Sequence, residues 1–150
     1  MITEEEILKS TVRALSWKQP YAQLMFHWKW ETRTWNTNYR GLVLICSSAV
    51  NYADIEIKEI SGAAQYYRIL QALGVQWTHI VKRGNAIGIG RLVGCRPMEK
   101  EDGDRTFVQY SPDRWVHLYE DVHPIETFPW RGSQGWKTLD YETKKLIKII

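Results

Sequence analysis

The sequence predicts an α+β fold whose strands close into a small mixed β-barrel with flanking and inserted helices. Residues 41–47 (GLVLICS) are an unbroken apolar run of strand length, and 86–97 (AIGIGRLVGCRP) alternate apolar residues with glycine, as in a strand that bends at a barrel corner. Between them, residues 51–73 repeat apolar side chains at helical spacing, yet the chain never settles into regular βαβ alternation. With 150 residues, 44% of them hydrophobic, the chain suits one domain over 1–150 with its own core.

Residues 1–10 read as a polar lead, and 11–17 as a strand ending at Lys18-Gln19. Pro20 suits the first position of a helix, where its missing N–H costs nothing, and Tyr21, Leu24, Met25 and Trp28 recur at helical spacing. From 28 to 35 the period switches to two. Lys29, Glu31, Arg33 and Trp35 fall on one face of a predicted strand, and Trp30, Thr32 and Thr34 on the other. Residues 36–40 form a polar loop before the 41–47 strand. The 51–73 helix breaks near Ser61-Gly62, with Ile57, Ile60, Ala64, Tyr67, Leu70 and Leu73 as its inward stripe and Gly74 as its stop. A charged mobile loop is expected at 99–105, strands at 114–125 and 136–139, and an amphipathic C-terminal helix within 140–150. No internal repeat, low-complexity tract or linker interrupts the chain.

A net charge of +3 and a pI near 8.8 are compatible with a polyanionic partner. Eight tryptophans and eight tyrosines either fill a core or stack on planar ligands. Cys46 and Cys95 lie in apolar runs and read as buried thiols. The four histidines lack metal-ligand spacing, and GNAIGIG lacks the Lys-Ser/Thr of a phosphate loop, so no metal and no cofactor is expected. The acidic N-terminus is unlike a signal peptide and no apolar run reaches membrane length, so a cytoplasmic protein without membrane contact is expected, with a monomer favoured.

The segment SWKQPYAQLMFHWKWETRTWNTNYRG, residues 16–41, concentrates the chemistry. Lys18, Lys29, Arg33, Arg40 and Arg131 are candidate phosphate ligands, arginine because its planar fork donates two charge-assisted hydrogen bonds. Trp35, Tyr39 and Trp130, each beside one of these arginines, are candidate stacking platforms. Glu31 and Gln19 are polar candidates for the same cleft, and Gly132, Gln134 and Gly135 offer backbone that a ligand can approach. Simpler readings stand beside these. Glu31 and Arg33 can pair with each other, Lys18 and Arg40 can be surface charge, Trp35 can be core, and GSQG can be a tight turn.

Ser16, Gln19, Pro20 and Ala22, then Glu31-x-Arg33-x-Trp35, then Arg40-Gly41, resemble the signature of the ASCH domain, the module named after activating signal cointegrator 1. Weaker likenesses extend it over roughly 12–139: Glu59-Ile60-Ser61 with 67–70, Ile89-Gly90 through Gly94-Cys95, and the 130–136 loop, WRGSQGW. The family often places Gly-x-Lys shortly before the glutamate. Here Phe26 and Trp28 hold those places, and the lysine comes one position later, at Lys29. The resemblance implies a PUA-like barrel, a cleft between the Pro20 helix and the barrel with Glu31 and Arg33 on its floor, and binding of RNA or DNA, as a single strand, a strand end or a modified nucleotide. Two alternatives stay open. One is a small hydrolase acting on acetylated cytidine or RNA, with Lys29, Thr32 and Glu31 as its machinery. The other is a protein-interaction module.

Overall fold

The computed structural model describes residues 1–132 and 134–150; Ser133, within the WRGSQGW loop, lies outside them. One mixed sheet of six strands runs in the order β2-β5-β4-β3-β1-β6. Its strands are β1 (Val12–Trp17), β2 (Glu31–Arg33), β3 (Gly41–Ser47), β4 (Asn85–Pro97), β5 (Trp115–Pro129) and β6 (Lys137–Thr138). β1 and β3 pair in parallel, Val12 opposite Leu42 through Trp17 opposite Ser47, and the other pairings are antiparallel.

β3 is buried on both faces because its side chains alternate between two cores. Val43 and Ile45 join Leu15, Trp17, Leu24, Ile57 and Trp77 on one side; Leu42, Leu44 and Cys46 join Ile2, Ile7, Val12, Ile89 and Ile147 on the other. Three register shifts interrupt the β4–β5 ladder, at 86/88, 89/91 and 92/94. Such bulges raise local twist. Gly88 permits the close packing at the first of them, since a Cβ there would stand 2.7 Å from Phe26 and 3.1 Å from the His123 carbonyl. The sheet curls far enough that Arg33 of β2 donates to the Ser16 carbonyl of β1 at 3.0 Å, although three strands separate them in sheet order.

Several boundaries differ from expectation. The polar lead contains a capped helix, α1 (Glu4–Lys9): Thr3 Oγ1 accepts from Glu6 N, and Ile2 and Ile7 are buried beneath the charges. The helix after Pro20 is one turn, α2 (Tyr21–Leu24), with Pro20 at its N-cap position. Trp28 adopts a left-handed φ of 58°, ending the helical segment, so the strand covers 31–33 instead of 28–35.

The long helix, α3 (Asp54–Leu73), does break at Gly62, at φ 80° and ψ 164°. Its inward stripe is Ile57, Ser61, Gln65 and Ile69, each four residues from the last, whereas Ala64 and Tyr67 are exposed. Residues 99–105 are ordered as a 3-10 turn (Lys100–Asp102) leading into α4 (Gly103–Thr106). Asp102 is buried there and paired in a two-pronged bond with Arg96, at 2.7 and 2.8 Å. The C-terminal helix is a single turn, α5 (Tyr141–Lys144), after which Ile149 bridges to Ile125. No helix among the described residues is long and apolar enough to cross a membrane.

Candidate functional site

β2 hangs on β5, with Glu31 opposite His117 and Arg33 opposite Trp115. A chain of charge runs along it. Lys29 Nζ donates to Glu31 Oε1 at 2.9 Å and to the Trp30 carbonyl at 3.0 Å, Thr32 N donates to the same Oε1 at 2.8 Å, and Arg33 Nη2 stands 3.4 Å from Glu31 Oε2. Burial pushes the Lys29 amine below its ordinary pKa. Burial raises that of Glu31, but Lys29 and Arg33 outweigh it and hold the carboxyl below the usual range. Arg33 lies 5.1 Å from the Trp17 ring and 5.9 Å from that of Trp35, and its Nε has no partner among the described residues.

Beside this charged floor is a depression of about 380 Å³. Trp17 and Trp35 line it from the sheet side; Tyr52 and Ile60 line it from α3 and the segment before that helix. Two further cations border it. Lys18 is exposed, its Nζ 5.0 Å from the Tyr52 ring, and Arg114 is half-buried, its Nη1 3.5 Å from Thr32 Oγ1. Neither is paired with a carboxylate among the described residues.

Trp35 is held from behind by His117. The fully buried imidazole contacts the Trp35 carbonyl through Nε2 at 3.0 Å and meets the indole edge-on at 5.0 Å, while its Nδ1 has no partner among the described residues. Bonding to a carbonyl requires the proton on Nε2. Burial lowers the His117 pKa, although the Trp35 carbonyl and Glu31 oppose this. As pH falls through about 6.5, the unfolded chain therefore takes up a proton that folded His117 resists, and stability present above that pH is lost. The thermal midpoint is expected to drop between about pH 7.5 and about pH 5.5 more steeply in the wild type than in His117→Gln, which keeps an N–H donor but does not titrate. Equal slopes would contradict this account.

The depression continues into two others. A middle one of about 400 Å³ shares Lys18, Arg33, Trp35 and Tyr52 with it and adds Gln134 and Gly135. An outer one of about 790 Å³ shares Ser16, Ser48 and Gln134 with the middle one and is bounded by Trp130, Arg131 and Gly132. Gly132 lies so close to β1 that a Cβ would stand 2.7 Å from Ser16 Oγ. The result is one groove along which Lys18, Glu31, Arg33, Trp35, Trp130, Arg131, Gly132, Gln134 and Gly135 all fall.

Four other expected site residues serve the scaffold. Gln19 is buried, donating to the Lys82 carbonyl at 3.0 Å and accepting from Gln23 N at 2.8 Å. Tyr39 donates to the Leu42 carbonyl at 2.6 Å and packs against Trp136, with Arg13 over its ring. Arg40 turns back onto the carbonyls of Thr37 and Tyr39. The Lys29 amine is wholly buried and engaged, so it is not presented to a phosphate. Of the residues named for a hydrolase, only Glu31 and Thr32 line the inner depression, and no Lys29–Thr32 hydrogen bond forms among the described residues.

Arg114 and Tyr52 escaped the sequence reading. Arg114 reaches Thr32 across 82 residues of chain, and Tyr52 sits in an unremarkable loop before α3, so neither carries a local signal. Among the described residues no cluster of three or more His, Cys, Asp or Glu could hold a metal. No protein-family model matches the chain, and no curated protein matches its sequence.

Proposed function

We propose that the chain is an ASCH-type, PUA-like domain that binds single-stranded nucleic acid in the groove between the α2–α3 side and the curled sheet. One observation carries the reading: Arg114, Arg33, Lys18 and Arg131 follow one another along a continuous groove whose single lining carboxylate among the described residues, Glu31, is already bridged by Lys29 and Arg33. A polyanion is the ligand that such an unbalanced row of cations favours. Trp35, Tyr52 and Trp130 along the same path add planar surfaces for bases, which suits an unpaired strand better than a duplex whose bases are stacked on one another.

Titration of short RNA and DNA single strands at low salt is expected to show binding that weakens as salt rises, with a log–log slope of about −0.7 per phosphate contact. Duplexes of the same sequence are expected to bind more weakly. Absence of binding to any strand at low salt would overturn the reading and leave a protein-interaction module in its place.

A further inference from the structure

We infer, resting on the nucleic-acid reading, that the inner depression holds a phosphorylated terminal nucleotide of a single strand, and that the groove toward Arg131 carries the nucleotides that follow. The first ground is shape. The inner depression shares lining residues with the middle one. A cavity lined by Trp28, Arg105 and Lys29 has no lining residue in common with it; the Lys29–Glu31 pair stands between, Lys29 bordering one space and Glu31 the other. A buried ion pair that walls one side of the depression suits a strand's end.

The second ground is charge. Three cations, Lys18, Arg33 and Arg114, border the inner depression, whereas Arg131 is the one Arg or Lys lining the outer depression among the described residues. An internal phosphodiester carries one negative charge. A terminal phosphate carries about −1.5 to −2 at pH 7 and three strong acceptor oxygens. Lys18 and Arg114, unpaired with any carboxylate among the described residues, supply donors for those oxygens, and the buried Arg33 Nε lacks a partner there as well. The third ground is size: about 380 Å³ lies at the lower end of the ~300–1,000 Å³ range of small-ligand sites, room for one nucleotide and not for several.

Fluorescence anisotropy with single strands of about ten nucleotides, a length within the ~4–16 that one small barrel covers, tests the inference. The same sequence is presented with a 5′-phosphate, with a 3′-phosphate, with hydroxyls at both ends, and as a covalently closed circle. At least one phosphorylated form is expected to bind about tenfold or more tighter than the hydroxyl-ended strand, with the circle no tighter than the latter. The preference is expected to vanish in Lys18→Ala/Arg114→Ala, whose folding is checked by its thermal midpoint. Equal binding of the circle and both phosphorylated strands would overturn the terminal-phosphate inference while leaving the groove reading in place. Failure of every strand to bind would overturn the nucleic-acid reading itself.

Discussion

Glu31→Ala is expected to destabilise the protein by about 3–5 kcal/mol, the cost of removing one member of a buried ion pair and leaving the other unbalanced. The Lys29 side chain is fully buried, and its amine is held by Glu31 at 2.9 Å and by one carbonyl. Without the carboxylate, that amine must lose its proton or draw water into the interior, and Thr32 N loses its acceptor as well. A change of this size lowers the thermal midpoint of a chain this long by roughly 10 °C or more. Lys29→Met combined with Glu31→Leu is expected to cost less than Glu31→Ala alone, because it removes both charges together. A midpoint for Glu31→Ala within about 2 °C of wild type would contradict the buried pair.

Lys18→Ala/Arg114→Ala is expected to weaken single-strand binding about a hundredfold at low salt and to flatten the log–log salt slope by about 1.4, the share of two phosphate contacts. Lys18 is exposed and Arg114 half-buried, and among the described residues neither carries an ion pair whose loss would unsettle the core. The thermal midpoint should therefore stay near the wild-type value while binding collapses. An unchanged salt slope would show that these two side chains do not meet phosphate.

Legibility in the sequence followed the range of the forces involved. GLVLICS was readable as a buried strand because both of its faces meet a core, and the break at Gly62 was readable because glycine there takes φ 80°. The inward stripe was only partly readable, because Ser61 and Gln65, two of its four buried positions, are polar and an apolar period passes over them. α1 was hidden by three glutamates in its first turn, although Thr3 with Glu6 has the spacing of a capping box.

Within the groove, the pairing of Glu31 with Arg33 was visible as two charges on one strand face. Arg40 illustrates the opposite case. It belongs by sequence to the same segment as Arg33, yet its guanidinium binds its own loop, while Arg114, remote in sequence, arrives through the β2–β5 pairing. Lys29, two places before Glu31 and just after the left-handed turn at Trp28, reaches its carboxylate at 2.9 Å.

Amide chemical-shift mapping during titration with a short single strand tests the groove most directly. Perturbations are predicted to concentrate at Ser16, Lys18, Thr32, Arg33, Trp35, Tyr52, Arg114 and Gly132, which line its connected depressions. Perturbations centred instead on Trp28, Trp30 and Arg105, where an exposed tryptophan and an arginine stack 3.4 Å apart on the other side of the Lys29–Glu31 pair, would contradict the account.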